Sequence, residues 1–253
     1  GIARDAQREG KEAVEKAKRV MKKMRGQGLV PDVRTYTALL EVYARAGRAP
    51  GGRGMLTQAF KVLQEMKQNG VPPDTAVFNV LIVAHAMAGA AGAPRMFEGA
   101  MHVVDGFMLG SGGCEPDLHT YNSLITVASR SCKARPPRGG GLEDGLTAFE
   151  RLQKGGLSPN TATVNALMLG ARGKEEVELV FKIAADQGIP PDSATYSLAI
   201  KAVPRDPAHA ESVLDRCPSE RRNARVYVTC LNEMTKGGAP ADALKLGERA
   251  REE

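Results

Sequence analysis

Small polar side chains recur at one position along this chain, directly after an aromatic or β-branched residue. They are Thr37, Asn79, Asn122, Asn165 and Ser197. A second polar set, all Asp or Asn, directly follows a proline in a short hinge. It comprises Asp32, Asp74, Asp117, Asn160 and Asp192. Amides both donate and accept, carboxylates accept and hydroxyls do either, so both sets predict hydrogen bonding rather than catalysis.

The thiols and imidazoles of the chain are scattered. The cysteines have no C-x-x-C spacing, and the histidines never form H-E-x-x-H or H-x-E. These residues are Cys114, Cys132, Cys217 and Cys230, and His85, His102, His119 and His209. The glycine-rich segments also lack the G-K-[ST] of a phosphate-binding loop. We therefore expect no metal site, no disulfide framework, no cofactor and no enzymatic activity.

The hinge that carries the second polar set predicts where helices stop and start. Its prolines recur 32 to 43 residues apart, at Pro31, Pro73, Pro116, Pro159 and Pro191. Proline cannot continue a helix, and it pushes the residue before it out of the α region. The Asp or Asn that follows can accept from the free N–H groups of the next helix. Each hinge is expected to end one helix and cap another.

Between successive hinges, two separate runs of apolar residues each follow the period of an α-helix. The first run in one unit is Tyr36, Leu39, Leu40 and Tyr43, and the second is Leu56, Ala59, Phe60, Leu63 and Met66. Such spacing places the apolar side chains on one face of each helix. A helix pair that recurs with a period of 20 to 50 residues indicates an all-α fold, an α-solenoid.

Residues 33–40, 46–48 and 58–67 resemble the pentatricopeptide repeat family, and residues 118–125 are similar to its first helix more closely still. The related tetratricopeptide family is disfavoured because its Trp and Leu-Gly signature is absent, and the chain has no Trp. The resemblance covers nearly the whole chain. It implies P-type repeats that form a right-handed superhelix of stacked antiparallel helix pairs.

This resemblance divides the chain into a single array. We place a leading half-unit at 1–32 and units at 33–74, 75–117, 118–160, 161–192, 193–223 and 224–253, the later ones being weaker. Three units are long, and their extra residues, 49–54, 89–94 and 132–141, are predicted as loops between the two helices of a unit. The half-unit at the start and the lack of a clear capping helix at the end favour a fragment of a longer protein.

The resemblance also implies a function, which is binding of single-stranded RNA in an organelle with one base read per repeat. In the family, the polar residue of the first helix works with the residue that closes the hinge. The pairs carried over are Thr37 with Asp74, Asn79 with Asp117, Asn122 with Asn160, Asn165 with Asp192, and Ser197 with Asn223. The family's pairing rule suggests guanine, uracil, a pyrimidine, uracil and adenine, from the RNA 5′ end.

A further position of the family packs flat against bases and lies three residues before the first member of each pair. Here it holds Arg34, Ala76, His119, Ala162, Ala194 and Arg225. Alanine has little surface for stacking, which departs from the family pattern. Arg34 and His119 are included in the predicted RNA-binding set, and an arginine can stack on a base or bind phosphate.

Several interpretations stay open at this point. An Asn or Thr near a helix start often serves only as a cap or a local hydrogen-bonding group. The RNA-binding hypothesis describes a protein that stabilises, processes or promotes translation of an organellar transcript. The alternative is a structural subunit of an organellar ribosome or another ribonucleoprotein complex, which would tolerate weak stacking positions and variable unit lengths. A more remote alternative is a module that positions substrate for an enzyme elsewhere in the same polypeptide.

The net charge of +6 suits a nucleic-acid partner. Lysines and arginines are densest between residues 8 and 25, but glutamates lie among them, so this segment is predicted as a repeat helix rather than a transit peptide. Lys133, Arg135 and Arg138 in the third loop could also contact phosphate. No apolar run is long enough for a membrane span. An organelle is expected as the location, with mitochondrion and chloroplast not distinguished.

Overall fold

A computed structural model describes residues 2–48, 53–90, 95–131 and 141–252, and this part of the chain is helical without a strand. The α-helices are α1 (Ile2–Gly26), α2 (Val33–Ala46), α3 (Arg53–Gln68), α4 (Thr75–Ala90), α5 (Met96–His102), α6 (Leu118–Ser131), α7 (Leu142–Lys154), α8 (Thr161–Gly170), α9 (Lys174–Asp186), α10 (Ser193–Ala202), α11 (Pro207–Arg216), α12 (Ala224–Lys236) and α13 (Pro240–Glu252). A π-helix, Val103–Gly112, continues α5, and a 3₁₀ turn, Ser219–Arg221, precedes α12. The chain forms two compact units that divide between Leu157 and Ser158.

Each described helix that follows a hinge begins at an Asp or Asn cap. The side-chain oxygen of the cap accepts from the backbone N–H three residues further on, at 2.7–3.2 Å. The caps are Asp32, Asp74, Asp117, Asn160, Asp192 and Asn223. The capping role predicted for the hinge residues is confirmed.

Glycine closes the helix on the other side of the hinge. Gly70 has φ of 70°, and the next N–H, of Val71, donates to the Met66 carbonyl at 3.1 Å. Gly188 has φ of 65°, and the N–H of Ile189 donates to the Ala184 carbonyl at 2.8 Å. A positive φ costs glycine little, and this bond satisfies a carbonyl that the helix end leaves open.

In the first unit, helices α2, α4 and α6 pack side by side, and each also packs against the helix that follows it. Helix α1 packs on α2 in the same way. Several large side chains of these helices are at most 1% exposed, among them Tyr36, Leu40, Phe78, Leu81, Leu124 and Ile125. Burial of each such side chain contributes about 1.5–3 kcal/mol relative to leaving it exposed. The layer of first helices is therefore held by a continuous apolar core.

The second unit repeats this arrangement in α8 to α13. Helices α8, α10 and α12 are neighbours, and α9, α11 and α13 pack beside their preceding helices. Both units are thus stacks of helix pairs, and the predicted all-α solenoid fold is confirmed. The repeat boundaries and the handedness of the superhelix stay predictions.

The second helix of the segment 75–117 widens into a π-helix, which no sequence pattern predicted. A Cβ atom on Gly110 would lie 3.0 Å from the Asp105 carbonyl oxygen, and glycine removes that contact. The wider turn directs Phe107 toward Phe60 and Phe78, with ring centroids 6.2 and 6.3 Å apart. Aromatic packing in this range stabilises the segment beyond its burial.

The predicted loops are shorter than expected at two places. Arg53 and Gly54 belong to α3, while Gly89 and Ala90 belong to α4, so the predictions 49–54 and 89–94 were too long. The helices include the small residues Gly54, Gly89 and Ala90 despite their loop-like composition. Residues 49–52, 91–94 and 132–140, with the basic residues 133, 135 and 138, lie outside the described residues. No described helix has the length and apolar character that a membrane span requires.

Candidate functional site

Three residues from two adjacent helix pairs form one hydrogen-bonded cluster, the Asn79 cluster (Asn79, Asp117, Thr120). Asn79 lies on α4, and its Nδ2 donates to Asp117 Oδ1 at 3.2 Å. The Thr120 hydroxyl, in the first turn of α6, lies 2.7 Å from Asn79 Oδ1. The backbone N–H of Thr120 donates to Asp117 Oδ1 at 2.7 Å. The carboxylate that caps α6 therefore also holds a side chain of the preceding pair.

An equivalent arrangement occurs in the second unit, as the Asn165 cluster (Asn165, Asp192, Thr195). Asn165 Nδ2 lies 3.2 and 3.4 Å from the two oxygens of Asp192. The Thr195 hydroxyl donates to Asn165 Oδ1 at 2.6 Å, and its backbone N–H donates to Asp192 Oδ1 at 2.8 Å. Two of the pairs predicted from the sequence are therefore in direct contact, with the same partners in the same roles.

The chemistry of the cluster sets the direction of the amide. An ionised carboxylate can only accept, so Nδ2 must face Asp117, and Oδ1 must face the Thr120 hydroxyl. Nδ2 carries two hydrogens and gives one of them to the carboxylate, which leaves a second donor. In the Asn79 cluster, the second carboxylate oxygen likewise remains an acceptor, so the cluster can present one donor and one acceptor side by side. In the Asn165 cluster, Nδ2 also lies 3.4 Å from the second oxygen of Asp192.

The electrostatics keep these acceptors charged. Burial favours a higher pKa for Asp117, but the hydrogen bonds from Thr120 and Asn79 outweigh it, and the pKa lies below its ordinary value. The pKa of Asp192 is lowered by the same balance within its own cluster. Because hydrogen bonds to the charged form stabilise it, both carboxylates are ionised at neutral pH.

The hydroxyl-bearing pairs are built differently. Thr37 Oγ1 donates to the Val33 carbonyl at 2.8 Å, and Ser197 Oγ donates to the Ser193 carbonyl at 2.8 Å, each within its own helix. Their predicted partners, Asp74 and Asn223, cap α4 and α12. Ser197 is 1% exposed. The structure therefore does not join these pairs by a hydrogen bond, and Ser197 is poorly placed to meet a ligand.

The remaining predicted pair, Asn122 and Asn160, is split between the two units. Asn122 is half-buried on α6, and Asn160 is exposed and caps α8 through the Thr163 backbone N–H at 3.1 Å. At the predicted stacking positions, Arg34, Ala76, His119, Ala162 and Arg225 are exposed and Ala194 is half-buried. These side chains are accessible, but the alanines offer little surface.

A cavity of about 400 Å³ lies along α2, α4 and α6 in the first unit. Its polar lining includes Thr37, Asn79 and His119, which were predicted. Its apolar lining includes Val80, Val83 and Met87, which sequence reasoning missed because a helical period assigns such residues to a core. Polar and apolar groups on one wall suit a ligand that has a flat apolar face and a polar edge.

Thr120 and Thr195 were also missed as members of the site. The signal that could have found them is the variation between Thr and Val at the third residue of the first helices. Among the described residues, no cluster of His, Cys, Asp and Glu could hold a metal ion.

Residues 19–86 match the family model of the pentatricopeptide repeat domain. This segment therefore resembles pentatricopeptide repeats, as the sequence predicted. No curated protein matches the sequence at a significant level. The repeats are similar to the solved pentatricopeptide repeat protein PPR10 in complex with an 18-nucleotide psaJ RNA element, with a TM-score of 0.61 and 24% identity over 99% of this chain and 33% of that one.

Two further solved structures are similar to these repeats. PPR10 from maize gives a TM-score of 0.55 and 26% identity over 96% of this chain and 32% of that one. The PPR domain of the Arabidopsis thaliana protein-only RNase P 1, in complex with tRNA, gives 0.50 and 18% identity over 76% of this chain and 90% of that one. The present chain spans about a third of the length of PPR10.

Proposed function

We propose that these repeats bind single-stranded RNA and read one base per repeat through the paired positions. The observation that supports the proposal most directly is the recurrence of the Asn79 and Asn165 clusters. Each joins the residue that the family uses on the first helix to the residue that closes the hinge, at 3.2 Å. PPR10 and the RNase P domain, which share the fold, were solved with RNA bound.

The clusters suit uracil. Uracil offers carbonyl acceptors beside an N3–H donor, which complements the second N–H of Asn79 and the free oxygen of Asp117. Cytosine has a lone pair at N3, which would face the carboxylate. This chemistry agrees with the family's pairing rule for the pairs Asn79 with Asp117 and Asn165 with Asp192.

The resemblance to the family supports a proposal for the location and the cellular role. We propose an organellar protein that covers a transcript segment, so that it stabilises, helps process or promotes translation of that transcript without catalysis. If each base contributes on the order of 1–2 kcal/mol, five bases contribute about 5–10 kcal/mol. A micromolar Kd corresponds to about −8 kcal/mol, so moderate affinity is expected for these repeats alone.

The experiment that tests the function is selection from a random single-stranded RNA pool, followed by measurement of Kd for the selected and a scrambled RNA. We expect enrichment of a guanine-uracil-pyrimidine-uracil core. Asn79→Ala should weaken binding of the selected RNA by about 5- to 30-fold, the equivalent of 1–2 kcal/mol. Gln64→Ala is the matched control, since Gln64 is exposed on the second helix α3. Equal Kd values for selected and scrambled RNA contradict the proposal.

The second candidate is a structural subunit of an organellar ribosome or another ribonucleoprotein complex. It is favoured by the exposed Ala76 and Ala162 at stacking positions and by the apolar wall of Val80, Val83 and Met87. Such a wall suits an apolar side chain of a protein partner. Binding without base preference, together with co-sedimentation of the tagged protein with a ribonucleoprotein particle, would favour this function.

A further inference from the structure

We propose that Thr120 and Thr195 are specificity-determining positioning residues, which hold the amides of Asn79 and Asn165 in the one orientation that selects uracil. This inference rests on the proposed function and deepens it. Neither threonine belongs to the pairs carried over from the family. Both are buried at 0% exposure, so they act through the asparagines rather than on RNA.

The hydrogen bonds of the hydroxyl carry the argument. Thr120 Oγ1 accepts from the Asp117 backbone N–H at 3.1 Å. Its single proton then lies between Asn79 Oδ1 at 2.7 Å and Asp117 Oδ1 at 2.8 Å. Asp117 Oδ1 already accepts two N–H donors, from Thr120 and Asn79, whereas this hydroxyl supplies the buried Asn79 carbonyl with a donor. A buried amide oxygen without a donor is costly, so the hydroxyl favours one orientation.

The residue at the Thr120 position changes together with the polar residue on the first helix of the preceding unit. Where that first helix carries Asn, the third residue of the next unit's first helix is threonine: Thr120, Thr163 or Thr195. It is Val77 where that residue is Thr37, and Val226 where it is Ser197. Thr37 and Ser197 bond their own helix carbonyls and need no outside donor. Threonine and valine have the same shape, so the hydroxyl occurs where an amide must be oriented.

A simpler role for these threonines is the helix cap itself. Thr35, at the same helix position in α2, bonds its cap Asp32 through its backbone N–H at 2.8 Å and its hydroxyl at 2.6 Å. No Asn of the predicted pairs precedes Asp32. Thr35 therefore provides an internal control, a capping threonine without an amide to orient.

Without the hydroxyl, the buried amide oxygen loses its donor, and only the carboxylate still holds the amide. The Nδ2 donor is then positioned less firmly against a base carbonyl, so the preference for uracil over cytosine falls. The expected consequence is a change of preference confined to the one base that the altered cluster contacts. Loss of a cap would instead weaken binding of every RNA alike.

The test compares Thr120→Val, Thr195→Val and Thr35→Val in the full chain. For each we measure the ratio of Kd values for RNAs with cytosine or uracil at the two registers. Thr120→Val should lower the ratio at its own register about fivefold and leave the other unchanged. Thr195→Val should do the reverse, Thr120→Ser should restore the ratio, and Thr35→Val should change neither. Unchanged ratios, or equal changes at both registers, overturn the inference.

A second measurement separates this inference from the proposed function. Side-chain amide hydrogen exchange of Asn79 and Asn165 is followed by NMR in the free protein. We expect Thr120→Val to speed exchange at Asn79 only, and Thr195→Val at Asn165 only. Wild-type protein without uracil preference overturns the proposed function. Unchanged exchange at Asn79 in Thr120→Val overturns the positioning role, whatever the RNA results.

Discussion

At the scale of single residues, one carboxylate does two things. Asp117 caps α6 through the Thr120 backbone N–H and also contacts Asn79 on the preceding pair. Its side chain therefore links helix formation to the proposed base selection. An isosteric change can separate the two functions, because Asn caps a helix about as well as Asp does.

Asp117→Asn should relax base selection without unfolding the repeat. The amide converts the pair into Asn with Asn, so the preference for uracil should fall until both pyrimidines bind within about twofold of each other, since an amide can donate as well as accept. The free energy of unfolding should change by less than about 1 kcal/mol, because the cap is retained. Kd values for RNAs that differ only at this register, with urea unfolding alongside, check both expectations.

The control for this variant is Asp32→Asn. Asp32 caps α2 with the same geometry but belongs to no predicted pair. The preference at every register should stay as in the wild type. A loss of uracil preference in Asp32→Asn would show that the carboxylate acts through helix stability.

The paired positions could be predicted from the sequence because polar side chains after a helix start are visible as a pattern. That pattern did not show which pairs touch. Asn79 reaches its partner, whereas Ser197 bonds its own helix, because a hydroxyl is too short to cross to the next cap. Thr120 was hidden because a threonine near a cap is expected for capping alone.

At the scale of elements, the hinge determines the start of each first helix. Asp192 caps α10 through the Thr195 N–H and also receives Asn165 Nδ2. Its pKa is lowered, against the effect of burial, by these hydrogen bonds. A carboxyl with a lowered folded-state pKa stabilises the fold above its unfolded pKa of about 3.9 and loses that contribution as pH falls through the folded-state value.

We expect Asp192→Ala to lower the free energy of unfolding by about 1–2 kcal/mol at pH 7, through loss of the cap and of a partner for Asn165. The difference from wild type should shrink as pH falls below about 4, because the carboxyl of the unfolded chain takes up its proton there before that of the folded protein does. Urea unfolding at pH 7 and at pH 3 measures both values.

Asp186→Ala serves as the comparison, because Asp186 is exposed at the end of α9 and caps no helix. Its unfolding free energy should change by less than about 0.5 kcal/mol at either pH. A difference between wild type and Asp192→Ala that is independent of pH would contradict the ionised cap.

Helix existence and helix starts were predictable because proline, glycine and Asp act locally. The π-helix was not predictable, since it depends on Gly110 in a segment whose apolar spacing suits more than one helical period. The true limits of α3 and α4 were also missed, since Gly54, Gly89 and Ala90 have loop-like composition yet belong to the helices.

At the scale of the whole molecule, charge and base contacts should respond differently to salt. The chain carries a net charge of +6, and binding of phosphates releases counterions. With about one phosphate contacted per base read, log K should fall against log salt with a slope of about −3.5 for five bases, at about 0.7 per phosphate.

The preference for uracil over cytosine should be nearly independent of salt, since both RNAs carry the same phosphates. The two quantities are measured together by fluorescence anisotropy between 50 and 300 mM salt, a range in which about a 500-fold loss of affinity is expected. A preference that disappears in parallel with affinity would mean that the clusters contribute only electrostatic attraction.

The sharing of Asp117 between two helix pairs has a consequence for the engineering of new binders. A cassette excised at the hinge would separate Asn79 and Asp117 from Thr120, so the transplanted block would acquire whatever residue its new neighbour supplies. A cassette that begins after Val77 and ends at Thr120 carries the complete cluster into a foreign array. Recombination points should therefore lie one turn inside the first helix, so that each block brings its own orienting hydroxyl.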